Sequence, residues 1–409
     1  FFWLLMRILS VVFFCFIIWC SASPLILLRN CEVYDPNYLG RQDILIGGTK
    51  IISMYPSSSQ TISSPLVKVI EMHGALALPG LVDPHVHLSG GGGELGPFSR
   101  TPNAQFSEVV NAGITSLVGL RGTDGITRSG ENLLQFLFSF EEMGLSTWMW
   151  TGSYHVPVDT LTTTIERDVM LINKIIGAGE IAISDHRSSW PSYQQLVELV
   201  SSCRVGGLLS GKAGIVCFHV GDAPGMLNPL WEIVNQTTIP ITQMYPTHMS
   251  SRGQALINEG MKWIQAGGYL DFTADAPNET FTAQALNQYR VQGIDLSHVT
   301  VSSDSYGSLP VFDSTGRLIT YSVASPMNLL NQIITMITQY NWDITTAFSL
   351  ATSNTASYLG FTNKGKLQNG NDGDIIILNP NTFAVQYVFA NGQMLKNITH
   401  TSTAMFPCM

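Results

Sequence analysis

Eight short apolar runs, separated by longer stretches, follow one another between residues 78 and 303 of this 409-residue chain. They cover residues 78–88, 115–120, 146–150, 181–184, 214–220, 241–245, 269–273 and 299–303. Helical periodicity marks intervening segments at residues 131–143, 164–176, 192–203, 254–266 and 283–291. Eight strand–helix alternations predict an α/β protein with a TIM-like (β/α)8 barrel at residues 78–364. A doubly wound sheet is the alternative, but it usually has fewer strands and a phosphate-binding glycine motif, whose spacing the glycines at residues 90–93 do not match.

The two flanks of this region have a different pattern. Residues 24–77 and 365–400 contain β-type runs bounded by turn residues, and Asn391-Gly392 lies between two apolar runs as in a hairpin. Neither flank is long enough to bury a core alone. We therefore expect one small β-sandwich domain, built from both chain ends beside the barrel and followed by a tail at residues 401–409.

The first 23 residues predict a signal peptide. Arg7 precedes an apolar run at residues 8–19, which small residues and Pro24 follow. The run is shorter than the roughly 20 residues that a spanning helix needs, so an uncleaved membrane anchor is the weaker alternative. We expect a secreted or vacuolar protein with no stable membrane span after cleavage. The net charge of −9 and the lack of any Lys/Arg run argue against nucleic acid as a partner.

Two further features concern modification in a secretory compartment. Three Asn-x-Thr triplets, which predict N-glycosylation, begin at Asn235, Asn278 and Asn397. Four cysteines remain after residue 23, at positions 31, 203, 217 and 408. Their spacing does not suggest a structural zinc site, and it leaves both one or two disulfides and buried free thiols open.

Histidine and aspartate side chains stand at the ends of four predicted barrel strands. His85 and His87 close strand one, His219 closes strand five, His248 closes strand six and Asp304 closes strand eight. Residues i and i+2 of a strand point to the same face, and active sites of this fold lie at the carboxyl ends of the strands. A single His-x-His pair is more often structural. The complete set predicts a catalytic metal site, because imidazole and carboxylate are the expected ligands of zinc there.

The order of these residues along the chain resembles the amidohydrolase superfamily. More narrowly, the chain resembles the isoaspartyl dipeptidase family over its whole length after the signal segment. The matching stretches are residues 83–94, 115–124, 151–157, 182–188, 202–212 and 302–308. The resemblance implies a metal-dependent hydrolase that cleaves the isopeptide bond of β-aspartyl dipeptides, with a small dipeptide as substrate. We also expect a homo-oligomer.

Carried over position by position, the resemblance implies two zinc ions held by the four strand-end histidines, with Asp304 on one of them. Two metals bridged by water provide hydroxide near neutral pH, because zinc lowers the pKa of water to about 7. That hydroxide would attack the amide carbonyl, and Asp304 would accept its proton and pass it to the leaving amine. Tyr154 would donate to the oxyanion.

The resemblance also implies how the substrate is bound. Glu94 receives the α-amino group, Arg187 and Arg252 bind carboxylates, and Thr123 and Ser308 line the same pocket. One ammonium and two carboxylates match one Glu and two Arg, whose fork binds both carboxylate oxygens. By residue type alone, Arg187 is equally typical of an ion pair with Asp185, Glu94 of solvated surface and Tyr154 of a half-buried aromatic. Arg252 lies one residue later after His248 than in the family pattern.

The chain departs from the family at the bridging ligand. Characterised members have a carboxylated lysine on strand four, and Glu180 occupies that position here. Glutamate presents the same two oxygens and charge on a shorter stem, and the glycines at 177 and 179 would let the backbone approach the metals. We therefore predict that Glu180 bridges the two zinc ions. The alternative is that Glu180 lies in a loop and one metal binds.

Two other functions compete with the dipeptidase. A related amidohydrolase acting on another amide, such as an N-acyl-amino acid or a cyclic imide, is the nearer one. The second is a secreted, non-catalytic binding protein descended from the enzyme. The paired Arg and Glu favour the dipeptidase, and the complete ligand set argues against the binding protein.

Overall fold

A computed structural model describes residues 25–58, 64–277, 279–312, 315 and 317–405. The predicted signal peptide, Asn278 and Cys408 lie outside these residues. Within the described part, no helix is both long and apolar enough to cross a bilayer. Cys31, Cys203 and Cys217 are buried free thiols, which decides between the two alternatives for these three cysteines.

Nineteen strands lie within the described residues. The first five are β1 (Leu25–Tyr34), β2 (Tyr38–Gly47), β3 (Lys50–Pro56), β4 (Val67–Glu71) and β5 (Leu76–Pro79). The barrel strands are β6 (Leu81–Val86), β7 (Ile114–Gly119), β8 (Ser146–Thr151), β9 (Ile175–Ile183), β10 (Ile215–Val220), β11 (Met244–Thr247), β12 (Leu270–Thr273) and β13 (Val299–Ser302). The hairpin β14 (Ser308–Phe312) and β15 (Leu318–Val323) follows them. The last four are β16 (Ile375–Leu378), β17 (Val385–Ala390), β18 (Gln393–Asn397) and β19 (His400–Thr401).

Ten α-helices accompany these strands in the described part of the chain. They are α1 (Phe106–Asn111), α2 (Gly130–Glu142), α3 (Ile165–Leu171), α4 (Tyr193–Ser210), α5 (Asn228–Gln236), α6 (Gln254–Gln265), α7 (Phe281–Val291), α8 (Met327–Tyr340), α9 (Ile344–Ser349) and α10 (Ser353–Tyr358). Three 3-10 turns add Pro97–Ser99, Ile241–Gln243 and Leu296–His298.

The eight predicted barrel strands are confirmed as β6 to β13. Strands β6 to β11 form one parallel sheet in sequence order, and β12 pairs with β13 in parallel. The barrel closes between β13 and β6, where Val86 bridges Ser305 and His87 N–H donates to the Ser305 carbonyl at 2.9 Å. Most of these strands are buried on both faces, which is typical of parallel strands covered by helices and explains their continuous apolar runs.

The fourth barrel strand differs from its sequence prediction. A helix was predicted over residues 164–176 and a strand over 181–184, but α3 ends at Leu171 and β9 begins at Ile175. Glycines at 177 and 179 have low strand propensity, so the pattern concealed the first half of β9. All nine residues of β9 are buried. Tertiary packing therefore overrides local propensity there. Helix α4 is also longer than predicted, ending at Ser210.

The strands of both chain ends form the predicted small domain. They make one continuous nine-stranded sheet, in the order β19-β18-β17-β16-β5-β1-β2-β3 with β4 on β1, and its strands enclose a hydrophobic core of their own. The sheet is continuous because β5 pairs with β1 on one side and with β16 on the other. The predicted hairpin is confirmed: Asn391 and Gly392, at φ 47° and 72°, join β17 to β18.

Candidate active site

Four barrel strands bring the predicted ligands together at their carboxyl ends. His85 and His87 lie at the end of β6, His219 near the end of β10, and His248 directly after β11. Asp304 follows β13 by two residues. All five are buried, with Asp304 the most exposed at 8%.

Glu180 lies in the centre of this cluster and divides its two carboxylate oxygens between two groups of histidines. Oε2 is 3.4 Å from His85 Nε2 and 3.9 Å from His87 Nε2. Oε1 is 2.7 Å from His219 Nδ1 and 2.8 Å from His248 Nε2. Each oxygen therefore faces its own pair of imidazoles, which is the arrangement that a bridging carboxylate requires.

Local backbone packing places Glu180 in this position. A methyl group at Gly177 would lie 1.9 Å from the Ile215 carbonyl oxygen, and one at Gly179 would lie 2.8 Å from Cys217 Cβ. Only glycine permits so close an approach of β9 to β10, whose register shifts at the same point. Glu180 is a strand residue, 1% exposed. The alternative that it lies in a loop is wrong.

The cluster fits divalent metal ions. In each of three groups of residues, the ligand atoms lie within 4.8 Å of one another. The groups are His85, His87 and Glu180; His85, His248 and Asp304; and Glu180, His219 and His248. Among the described residues, both ring nitrogens of His85 and Oε2 of Glu180 are buried with no hydrogen-bond partner. Buried polar atoms without partners are costly, so this pocket of imidazole and carboxylate atoms has the character of a metal site.

The charges of the cluster reinforce this assignment. Burial disfavours the charged form of His85, but the ionised Glu180 and Asp304 outweigh burial and raise its pKa well above the ordinary value. Burial would raise the pKa of both carboxyl groups, yet the neighbouring imidazoles hold it below the usual range. Burial, with a contribution from His219, lowers the pKa of His248 to about 4. The site therefore has two carboxylates in their ionised, metal-binding form.

A cleft of about 270 Å³ adjoins the cluster and contains most of the predicted substrate residues. Its lining includes Thr123, Tyr154, Arg187, Arg252 and Ser308. The Arg252 side chain thus reaches the cleft despite its shifted position after His248, and its Nε contacts the Val220 carbonyl at 3.4 Å. The structure brings all five residues to one cavity beside the metal-type ligands.

The Glu94 carboxylate contacts three residues of this lining. Its side chain is 7% exposed, and Oε1 accepts a hydrogen bond from Ser308 Oγ at 2.9 Å. The same oxygen is 3.5 Å from Thr123 Oγ1 and 3.6 Å from the nearest guanidinium nitrogen of Arg187. A carboxylate and a guanidinium are therefore adjacent at one side of the cleft.

Tyr154 and Arg187 both lie against His219. The Tyr154 hydroxyl is 2.9 Å from His219 Nδ1, and burial raises the pKa of this phenol well above its ordinary value, so it keeps its proton. Arg187 forms a two-pronged ion pair with Asp185, at 3.0 and 2.9 Å. Burial opposes the charge of Arg187, but nearby anionic groups raise its pKa, so it stays cationic.

Sequence reasoning missed two residues of this site. Asp185 was considered only as an ion-pair partner, but it also lies 2.8 Å from His219 Nε2 and so connects Arg187 to a metal-type ligand. Tyr321 carries no motif in the sequence, yet its hydroxyl donates to Glu94 Oε2 at 2.8 Å. Asp185 lies two residues before Arg187, and this spacing could have indicated that it belongs to the site. No neighbouring residue in the sequence indicates a role for Tyr321.

Comparison with known proteins agrees with this geometry. The profile of the Amidohydrolase family matches residues 213–395. The β-aspartyl dipeptidase of Fervidobacterium islandicum AW-1, solved in complex with the β-Asp-Leu dipeptide, is 39% identical, with a TM-score of 0.90 over 94% of this chain and 99% of that one. This chain belongs to the β-aspartyl dipeptidase family of amidohydrolases. The family resemblance found in the sequence is thereby confirmed.

Other solved structures support the fold of this amidohydrolase. A second structure of the F. islandicum enzyme matches at 38% identity and a TM-score of 0.86, covering 93% of this chain and all of that one. The D-hydantoinase of a Thermus species is 14% identical, with a TM-score of 0.64 over 92% of this chain and 96% of that one. The latter likeness shows the shared barrel fold alone.

Proposed function

We propose that this amidohydrolase cleaves the isopeptide bond of β-aspartyl dipeptides. The observation that carries the proposal is the pair formed by Glu94 and Arg187, 3.6 Å apart beside the metal-type cluster. The α-ammonium and α-carboxylate of a β-linked aspartate are attached to one carbon atom, so their receptors must be neighbours. The β-Asp-Leu dipeptide bound by the F. islandicum enzyme has this same head group.

Within this proposal each cleft residue has a binding role. The Glu94 carboxylate accepts the α-ammonium group, while Arg187 and Arg252 bind the two substrate carboxylates through charge-assisted hydrogen bonds. Thr123 and Ser308 border the same pocket. Asp185 keeps the Arg187 guanidinium oriented, because two of its hydrogen bonds fix the plane of the fork.

The reacting groups lie beside the cluster. We propose two zinc ions, held by His85, His87, His219, His248 and Asp304 and bridged by Glu180. Bound zinc would polarise the scissile carbonyl and make water nucleophilic near neutral pH. Asp304, ionised in this site, accepts a proton from the attacking water and passes it to the leaving amine. The Tyr154 hydroxyl donates to the oxygen that becomes negative.

The proposal separates the dipeptidase from its two competitors. An N-acyl-amino acid or a cyclic imide has no free ammonium, and Glu94 would then remain buried beside it without a cationic ligand group. A non-catalytic binding protein has no chemical need for six buried ligands around two ion positions. Both alternatives are weaker for these reasons.

Hydrolysis of matched substrates tests the function. We expect cleavage of β-Asp-Leu, with kcat/KM for α-Asp-Leu and for N-acetyl-β-Asp-Leu lower by at least about a hundredfold. The α-linked dipeptide has no free carboxylate on the carbon that carries its ammonium, and the acetylated dipeptide has no ammonium, so each leaves one charged residue of the site without its partner. Release of leucine by the zinc-loaded protein measures all three. Equal rates on the free and acetylated dipeptides would favour the other amidohydrolase, and no turnover of any would favour the binding protein.

Metal affinity should depend on pH in a defined direction. His85 carries a proton in the metal-free site because its pKa is raised, and zinc must displace that proton. One displaced proton predicts that zinc affinity rises roughly tenfold per pH unit between about pH 6 and 8. His248, with its pKa near 4, contributes to the loss of zinc only in stronger acid.

Competition titrations against a chelator over this pH range measure the slope. The exposed His73 on the small domain provides a control, since His73→Asn should leave the slope unchanged. Affinity that does not vary with pH would contradict the assignment of His85 as a ligand that is protonated before metal binding.

Sequence patterns alone support three further proposals. Residues 1–23 would direct the chain into the secretory pathway, to the outside or to a vacuole. Asn235, Asn278 and Asn397 would be glycosylated there, and Asn235 is exposed at the surface of α5. The protein would act as a homo-oligomer on small dipeptides, without nucleic acid or a membrane span.

A further inference from the structure

The hairpin β14–β15 follows the last barrel strand and contributes directly to the cleft. Its strands pair in antiparallel fashion, with Ser308 opposite Val323. Leu309 from the first strand and Ser322 from the second line the cleft. The hairpin is therefore part of the wall that encloses a substrate.

Tyr321, on the second strand of this hairpin, forms a bridge to the glycine-rich loop after β6. Its hydroxyl accepts the Gly93 N–H at 3.0 Å and donates to Glu94 Oε2 at 2.8 Å. Because the backbone N–H can only donate, the phenolic proton is directed at the carboxylate. Burial and the adjacent Glu94 raise the pKa of Tyr321, so the hydroxyl keeps that proton.

The hairpin thus holds both oxygens of one carboxylate. Ser308 on β14 donates to Glu94 Oε1 at 2.9 Å, and Tyr321 on β15 donates to Oε2. A carboxylate accepts about four hydrogen bonds, so these two donors fix its plane and leave acceptor sites for an ammonium group. Thr123 and Arg187 also approach Oε1, at 3.5 and 3.6 Å, so among the described contacts Tyr321 is the side chain that holds Oε2.

The sequence of the loop accommodates the Tyr321 ring. Gly92 has φ +75°, and a methyl group there would lie 1.9 Å from the Tyr321 hydroxyl oxygen and 2.8 Å from the Ser99 carbonyl oxygen. Any other residue at 92 would displace the hydroxyl from Glu94. Gly92 and Tyr321 are therefore sterically matched, although 229 positions of the chain separate them.

We propose that Tyr321 is a positioning residue that sets the preference of this enzyme for substrates with a free α-amino group, acting through Glu94. The inference rests on the proposed function, because it assigns Glu94 to the substrate ammonium. It goes further by placing part of the specificity on the hairpin, outside the strand-end motifs that carry the family resemblance.

The test compares two substrates that differ only in the amine. N-succinyl-leucine is β-Asp-Leu without its α-amino group. We expect Tyr321→Phe to lower kcat/KM for β-Asp-Leu about tenfold, mainly through KM, because it loses one hydrogen bond to a charged group. The same variant should leave kcat/KM for N-succinyl-leucine within about twofold of wild type, because Glu94 has no ammonium to bind there.

Tyr306→Phe is the matched control. The Tyr306 hydroxyl also accepts a backbone N–H, from Gln105, and donates to a glutamate, Glu108. Among the described contacts, Glu108 meets none of the cleft residues Thr123, Arg187 and Ser308 that Glu94 contacts. Removing this hydroxyl should change thermal stability without changing the ratio of the two substrates. A Glu94→Gln background adds a second check: there, Tyr321→Phe should have no further effect on the ratio, since the two residues act as one unit.

The outcomes distinguish this inference from the proposed function. If Tyr321→Phe slows both substrates equally, or behaves like Tyr306→Phe, Tyr321 has no part in amine selection and the inference fails while the dipeptidase stands. If the wild type does not cleave β-Asp-Leu, both fail. If Tyr321→Phe does not fold, Tyr321→Leu replaces it, because leucine lacks the same hydroxyl. The ratio of kcat/KM for β-Asp-Leu to kcat/KM for N-succinyl-leucine, measured on the variant that folds, then decides whether Tyr321 acts in amine selection.

Discussion

Replacing Glu180 by glutamine should remove at least one of the two proposed metal ions and lower kcat at least about a thousandfold. The Glu180 oxygens lie between two pairs of imidazoles, with Oε1 2.7 Å from His219 and Oε2 3.4 Å from His85. An amide keeps one oxygen but replaces the other by an NH2 group that cannot ligate and carries no charge. The two ion positions would then lose their shared ligand. Zinc stoichiometry by mass spectrometry and steady-state hydrolysis of β-Asp-Leu measure the two effects.

The presence of glutamate at position 180, in place of a lysine, predicts how the metal site assembles. A lysine must first react with carbon dioxide to become a bridging ligand, whereas glutamate is complete when the chain is made. Metal-free protein given zinc in bicarbonate-free buffer should therefore recover full activity. Asp168→Asn is a suitable control, because Asp168 is also a fully buried carboxylate but is bound by Thr151 and backbone N–H groups away from the cleft. One zinc per wild-type chain, or recovery only with bicarbonate, would contradict the bridge.

The residues of the cluster could be predicted because their directions follow from the fold. His85 and His87 share one face of a strand by the two-residue period, and parallel strands bring their carboxyl ends to one side of a barrel. Because His219, His248 and Asp304 follow other strands of the same barrel, their side chains must lie near His85 and His87. The small domain followed from similarly local patterns at both chain ends.

Features that depend on distant parts of the chain could not be predicted in the same way. The first half of β9 was missed because the local effect of Gly177 and Gly179 favours a turn, while their actual role is to let β9 approach β10. Tyr321 was missed because its partner Glu94 is 227 residues away and its hairpin lies after the last barrel strand. The roles of Arg187 and Glu94 came from the family resemblance, since neither residue type alone indicates substrate binding.

Asp304→Asn should have the second large effect, a fall in kcat of about a thousandfold with KM for β-Asp-Leu changed little. Asp304 Oδ1 lies 3.0 Å from His87 Nε2 and 3.4 Å from His85 Nε2. These imidazoles overcome the effect of burial and hold the pKa of Asp304 below its usual range, so it is an ionised acceptor at neutral pH. Asparagine has nearly the same shape and keeps an oxygen for a metal, but it cannot accept a proton from the attacking water or return one to the leaving amine.

Because Asp304→Asn keeps an oxygen for a metal but loses the proton acceptor, the metal content of the variant is the decisive second measurement. The His85, His87 and Glu180 group and the Glu180, His219 and His248 group each remain complete without Asp304, so the variant should retain most of its zinc. A thousandfold slower enzyme with two zinc ions would assign proton transfer to Asp304. A variant that loses zinc in proportion to its activity would instead limit Asp304 to holding the metal. The Asp168→Asn protein again shows what exchanging a buried carboxylate for an amide does on its own, and its kcat should stay within about threefold of wild type.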